Sequence, residues 1–372
     1  MVENDEIISD SSKVAEILNT YFSNIVELLE IPLNDDIINN ADDIEDPVKR
    51  AIFKYSIHPS ITKINETYTN RNRFSIAHTS EANIEHIITD LNINKATTKN
   101  GIPTKLIKEN SDIFSPILCH YFNTGVETNI FPFTLKLAEI KPTFKKDDRC
   151  NKENYRPVSL LPVVSKIFEK IVYTQISTYF NPILSPIQCG FRKGHSAQNC
   201  LLVLLEKWRK SLDKKQSAGI LMTDLSKAFD CIRHDLLIAK LHAYGMDLKS
   251  LHYIYDYLSD RKQRVRINNE FSEWKDINYG VPQGSILGPL FFNIYLIDLF
   301  LFTEDFDLVN YADDNTPYAC KKSIEEVIVT LENSTASIFQ WVDYNYLKAN
   351  PEKRQSPEMC EYFICEYTKY SI

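Results

Sequence analysis

Asp307 to Cys320 reads DLVNYADDNTPYAC, two apolar runs joined by a short polar turn, and this stretch decides the fold. The pattern predicts strands over Asp307–Tyr311 and Thr316–Cys320, joined by Ala312-Asp313-Asp314-Asn315. Ninety residues upstream, Ala218 to Asp224 (AGILMTD) is a second short apolar run ending on an aspartate. A strand ending in Asp224 and a hairpin tipped by Asp313 and Asp314 bring three carboxylates to one sheet edge. Adjacent strand residues point to opposite faces, so Asp313 is expected nearest the shared centre and Asp314 farther out. Three carboxylates at one edge repel one another unless divalent cations sit among them, and hard oxygen ligands suit magnesium, with manganese as the substitute. Taken singly, each piece also reads as plain turn or helix-cap chemistry.

Working outward, helical spacing is expected from Ser12 to Glu30, from Ser80, from Pro103 to Thr124, from Leu225 to Tyr244 and over the apolar run Gly284 to Phe300. Residues 31–80 are rich in Asn and Asp without a sustained period and read as a loose connector. Leu135 to Thr143 reads as a strand, and Arg264–Ile267 with Phe271–Tyr279 as a hairpin about Asn268-Asn269. Strands and helices mixed around hairpins predict an α+β chain with a mostly antiparallel sheet.

The 372 residues are 44% hydrophobic and 25% charged, enough apolar material for a substantial core in two or three subdomains. No run reaches membrane-spanning length, and the acidic start MVENDEIISD is unlike a basic leader, so secretory and membrane readings are set aside. Eight cysteines without a CxxC pair read as reduced thiols of an intracellular protein; the compartment, nucleus or cytoplasm, is left open. The net charge of −8 conceals a segregation. Residues 1–50 carry 3 basic and 13 acidic residues, whereas residues 141–215 carry 15 and 6, a net of +9. Residues 216–372 return to a net of −8, from 15 basic and 23 acidic residues. A basic stretch followed by an aspartate-rich one suits a protein that grips phosphates with one lobe and holds cations with the other. Solvated faces of an ordinary domain are the plainer reading of the same numbers.

Read in order, MTDLSKAFD (222–230), GVPQGSILGPLFFNIYLIDL (280–299) and NYADD (310–314) resemble the palm motifs of reverse transcriptases. NYRPVSLLPVVSKIFEKIV (154–172) and QCGFRKGHSAQNC (188–200) resemble the fingers motifs of the non-LTR, LINE-type branch, close to the jockey-like elements. AEILNTYFSNIV (15–26) is a weaker match. Five ordered blocks make chance resemblance improbable.

The resemblance implies a right-hand polymerase: an N-terminal helical extension and linker over 1–94, fingers over 95–215, palm over 216–354, and a divergent tail over 355–372 in place of a thumb. It implies RNA-directed DNA polymerisation, joining dNTPs to the 3′-OH of a DNA primer on an RNA template, with two magnesium ions about 3.5–4 Å apart. The carboxylates Asp224, Asp313 and Asp314 would be the catalytic metal ligands, with the backbone carbonyl of Leu225 nearby. Phe229 stands where the family places an aromatic steric gate against the ribose 2′-OH, with core packing as the competing reading. Asp230 reads as a helix-turn residue. Gln283 and Gly284 would lie along the incoming nucleotide, and Arg156 on its base and triphosphate. Lys145 or Lys146 would offer a further phosphate contact, and Arg192 and Lys193 template or primer backbone contacts. Lys353 matches a lysine thought to protonate the leaving pyrophosphate. The absent thumb and upstream endonuclease read as a truncated copy. A catalytically silent remnant that at most binds nucleic acid through residues 141–215 is the competing reading.

Overall fold

The computed structural model describes residues 1–3, 6–31, 35–69, 73–99, 101–303 and 306–349, and the backbone of 362–365. Strands run over Leu137–Phe144 (β1), Tyr155–Leu160 (β2), Ser217–Leu221 (β3), Arg261–Ile267 (β4), Glu270–Phe271 (β5), Lys275–Ile277 (β6), Asp307–Tyr311 (β7), Asp314–Lys321 (β8) and Tyr362–Cys365 (β9). The helices that position the site are Ser11–Ser23 (α1), Pro47–Lys54 (α2), Pro59–Thr67 (α3), Val163–Phe180 (α4), Ala197–Asp213 (α5), Ala228–Cys231 (α6), His234–Ala243 (α7), Leu287–Tyr295 (α8) and Ile324–Tyr344 (α9).

One sheet has the order β9-β3-β8-β7 and is antiparallel throughout. Its period of two separates the side chains by face. Ile220, Val309 and Tyr318 pack with Cys200 and Leu204 of α5, whereas Leu221 and Ala319 pack with Val327 and Leu331 of α9. The sheet is therefore held between two helices, and neither face is left to water. The second sheet has the order β2-β1-β4-β5 with β6 also on β4; β1 and β4 run parallel and the other pairs antiparallel. Helix α1 covers it, burying Ala15, Leu18 and Phe22 against Ala138, Ile140 and Val265. This α+β arrangement is the one expected.

Several expectations need correction. The segment 31–80 is no loose connector: α2 and α3 place Val48, Ala51, Tyr55, Ile61 and Ile64 in the central core, beside α4 and α7. Each helix is too short to show a period, and the Asn- and Asp-rich sequence works as punctuation. Asp46 accepts bonds from the amides of Val48 and Lys49, and Pro47 and Pro59 open the helices. The helix expected over 225–244 is two, α6 and α7, and the apolar helix expected to run to Phe300 is α-helical only to Tyr295, with a 3₁₀ stretch over Ile297–Phe302. Near the end of the chain, β9 pairs with β3 at the edge of the first sheet.

Candidate active site

The segments that carry the three aspartates meet where β3 and β8 converge. Tyr318 pairs with Ile220, and the same register continues to an isolated bridge between Asn315 and Thr223, closed by amide bonds of 2.9 and 3.1 Å. One step further, Asp224 stands across from Asp314, on the face shared with Ile220 and Tyr318. Asp313 lies in the two-residue turn, because Asp314 pairs with Tyr311. Both Asp313 and Asp314 thus lie within two residues of Asn315, which pairs with the neighbour of Asp224. Asp224 and Asp313 are half-buried and Asp314 is exposed. Leu225 is buried and bridges to Ala349. Lys353 lies outside the described residues.

Among the described residues no three His, Cys, Asp or Glu side chains form a ready-made metal cage. That donor set fits magnesium nonetheless. Such an ion is bound through one or two carboxylates, with water and substrate phosphates completing its octahedron.

The turn itself is unusual. Ala312 adopts a left-handed φ of 57°, which costs a residue with a Cβ about 1–2 kcal/mol. Gly190 presses on it: a Cβ at 190 would come within 2.7 Å of the Ala312 Cα and closer still to its amide nitrogen. Cys189 donates its amide to the Asn310 carbonyl (2.9 Å), and Asn310 donates its own to Ile187 (3.1 Å), so the 187–190 segment runs beside β7 like a further short strand.

A second cluster forms around α6. Phe229 is half-buried, stacked on Phe292 with ring centroids 4.4 Å apart and edge-on to Phe191 at 5.6 Å. Its carbonyl accepts from Val281 (2.9 Å), which ties α6 to the Val281–Gly284 loop. Gln283 donates its amide nitrogen to both carboxylate oxygens of Asp230 at 2.9 Å, and its carbonyl accepts from the Ser159 amide at 2.7 Å. Gly284 has φ of 124°, and a Cβ there would meet the Ser159 carbonyl at 2.6 Å. The loop is thereby clamped between α6 and β2.

Asp230 lies in a helical turn as expected, and in addition it holds Gln283, which the sequence does not reveal. A charged side chain on a one-turn helix gives no pattern that would have revealed it. Lys227 was missed too. Its ammonium lies 5.6 Å from the Tyr21 ring and donates weakly to the Glu153 carbonyl at 3.4 Å. Burial lowers its pKa, and the neighbouring Lys145 and Arg156 cations lower it further, against Asp230 and Glu153. These couplings bring Lys145 and Arg156, both exposed on the second sheet's outer hairpin, into one electrostatic field with Lys227 and Asp230. A recess of about 50 Å³ lies beside this cluster, lined by Phe22, Asp230, Tyr279 and Gln283 among others and not by the three candidate metal ligands.

Arg192 is turned to its own loop. It donates to the carbonyls of Ser185 and Gln188 and to Asn181, and burial lowers its pKa. The guanidinium braces the segment that carries Gly190. Lys193 is exposed.

Burial pushes the Asp230 pKa up to about 6, while the Gln283 bonds and the Lys227 cation pull it down. Because the unfolded value is near 3.9, the folded chain keeps a proton between about pH 4 and 6 that the unfolded chain releases. Stability therefore falls as pH rises through this window and is level above it. Relative to Asp230→Asn, the wild type should lose about 2–3 kcal/mol between pH 4 and 6.5, read by urea unfolding. A constant difference would mean that this carboxyl titrates normally.

With the geometry in place, sequence comparison gives the class. The family described as reverse transcriptase (RNA-dependent DNA polymerase) matches residues 144–363, more than half of the chain, and the protein belongs to it. Relatives of the chain include RNA-directed DNA polymerases of mobile elements. It is 31% identical over 253 residues to a probable RNA-directed DNA polymerase from transposon BS of Drosophila melanogaster, covering 63% of this chain and 27% of that protein. It is 27% identical over 281 residues to the RNA-directed DNA polymerase from mobile element jockey of the same species, covering 73% and 30%. A Pol polyprotein from the type-1 retrotransposable element R2 of Popillia japonica is 26% identical over 171 residues, covering 45% and 23%. The chain spans under a third of the length of each. Among the described residues, no helix is long and apolar enough to cross a membrane.

Proposed function

We propose that the chain carries the polymerising centre of a non-LTR retrotransposon reverse transcriptase, extending a DNA primer on an RNA template with dNTPs. The observation that carries this reading is the β3/β8 register, which pairs Thr223 with Asn315 and so brings the backbone of Asp224 beside the hairpin of Asp313 and Asp314. Asp224, Asp313 and Asp314 would hold magnesium, with the Leu225 carbonyl beside them. The ions would activate the primer hydroxyl and stabilise the leaving pyrophosphate oxygen.

The chain's own residues do the rest. Gln283, held at its side chain by Asp230 and at its backbone by Ser159, offers a preset surface to the nucleotide, so little ordering remains to be done on binding. Arg156, Lys145 and Lys227 supply positive potential where a triphosphate enters, and Lys193 supplies a screened backbone contact. Lys353 is proposed as the acid for the leaving pyrophosphate.

Phe229, buttressed by Phe292 and Phe191, cannot swing aside, which suits a ring that rejects a 2′-hydroxyl. Phe229→Val is expected to raise ribonucleotide incorporation relative to deoxynucleotide by about tenfold or more, a difference of about 1.4 kcal/mol, in single-nucleotide competition. Equal discrimination with a lowered melting temperature would assign the ring to the core.

The function is tested by single-nucleotide primer extension on an RNA template with magnesium, with the wild type beside Asp313→Asn. Extension by the wild type alone supports the proposal. Silence from a folded wild type, with hybrid binding that falls with salt and ignores magnesium, would leave only a nucleic-acid-binding protein.

A further inference from the structure

Behind the carboxylate hairpin lies a buried polar cluster to which no role has been given. Asn310, Asn315 and Gln188 are at most 1% exposed and Asn293 is 2% exposed. Asn310 and Asn315 are cross-strand partners on β7 and β8, joined side chain to side chain at 3.0 Å. The Asn310 amide nitrogen also donates to the Ala312 carbonyl at 2.7 Å and reaches the Asp314 carbonyl at 3.4 Å. Asn315 donates to the Asp313 carbonyl at 3.4 Å and, through its backbone, holds Thr223 next to Asp224. From the other side, Gln188 donates to the Asn293 carbonyl at 2.8 Å, and Asn293 donates to the Gly190 carbonyl at 2.8 Å. One network thus connects the strand of Asp224, the hairpin of Asp313 and Asp314, helix α8 and the glycine that presses on Ala312.

We propose that Asn310, together with Asn315, is a positioning residue for the metal site: its side chain locks the Ala312-Asp313 turn and so sets the carboxylates' geometry. This rests on the metal-ligand reading of Asp224, Asp313 and Asp314. Three observations support it. The left-handed φ of Ala312 costs energy, so something must hold it, and the 2.7 Å bond from Asn310 is made directly to that residue. The bonds run to the main chain of the turn and flank both aspartates. Finally, the Asn310 side-chain oxygen is buried without a partner, as are those of Gln188 and Asn293. An unpaired buried acceptor lowers stability, so Asn310 is a poor choice for holding the fold and a good one for holding the turn.

Replacing Asn310 with leucine removes an unpaired acceptor but strands the Ala312 carbonyl and the buried Asn315 side-chain oxygen, so it lowers stability on balance. The melting temperature is expected to fall by a few degrees while the turn loses its tether, and the metal and exchange readouts are compared well below it. Partners that orient metal ligands typically weigh about 10–100-fold in affinity or activity. The experiment is a Mn²⁺ titration followed by electron paramagnetic resonance, on wild type, Asn310→Leu, Asn315→Ala and Asp224→Asn, with hydrogen exchange of residues 307–316 measured in parallel. Asn310→Leu should weaken Mn²⁺ about tenfold or more and speed hairpin exchange, with kcat falling more than the KM for dNTP. Asn315→Ala, which removes the same cross-strand bond, should do so more mildly and carries the test if Asn310→Leu does not fold. Wild-type Mn²⁺ affinity in the folded Asn variants would overturn the positioning role alone. A wild type that does not bind Mn²⁺, or an Asp224→Asn that binds it equally, would overturn the metal-site reading and this inference with it.

Discussion

Asp224→Asn is expected to lose nucleotide incorporation by about 10³-fold, equivalent to about 4 kcal/mol of transition-state stabilisation, with melting temperature and hybrid affinity unchanged. The size follows from the position. Asp224 follows directly on the paired residue Thr223 and shares a face with Asp314 across the sheet, so its carboxylate is one of few hard ligands available there. Asparagine keeps the shape and one acceptor oxygen but removes the charge that holds a small divalent ion. The fold should tolerate it, since Asp224 is half-buried at the end of a strand and the core contacts of β3 come from Ile220 and Leu221. Single-turnover primer extension measures the loss, and filter binding of an RNA/DNA hybrid supplies the control. Unchanged incorporation would remove Asp224 from the metal site.

Gly190→Ala is expected to lower kcat about 100-fold while leaving the KM for dNTP within a small factor. No ligand touches this position in the proposed mechanism; the effect is transmitted. The new methyl would collide with the Ala312 backbone, and neither partner is the free end of a flexible side chain. On one side, Gly190 is fixed by the Asn293 bond to its carbonyl and by the Arg192 brace. On the other, Ala312 is fixed by Asn310. The hairpin must therefore shift, and displacing reacting groups by about 1 Å is enough for a loss of this order. Steady-state kinetics with the melting temperature recorded beside them makes the check. A variant with normal kcat would mean that the hairpin and the 187–190 segment move independently.

The local elements of this fold were legible from residue pattern. The strand before Asp224 and the hairpin after Asp307 are present as alternation and turn chemistry predict, although the strand stops at Leu221 and the turn expected over Ala312–Asn315 is only Ala312-Asp313. The helix expected from near Ser80 runs over Glu81–Thr89, with Ser80 as its cap. The candidate carboxylates were legible because their ordered motifs resemble those of a family. Less was visible where elements are short. Helices α2 and α3 bury only a few residues each, and the expected long helix over 103–124 is interrupted at Asn110. Over one or two turns, the apolar spacing of a helix cannot be told from chance.

The sequence by itself determined the α+β class, the order of the motifs and the residue types that give the site its chemistry, because each depends on neighbours a few positions apart. Only the tertiary structure decided the relations across long separations. It paired Thr223, the neighbour of Asp224, with Asn315, gave Gln283 to Asp230, bonded Arg192 to its own loop and seated Gly190 on Ala312. A strand's alternation says which face a side chain takes but not what stands across from it. An arginine or asparagine likewise carries its hydrogen-bonding groups without naming a partner. Those pairings are settled when the elements pack and each buried polar group must find whatever donor or acceptor the fold has brought within about 3 Å.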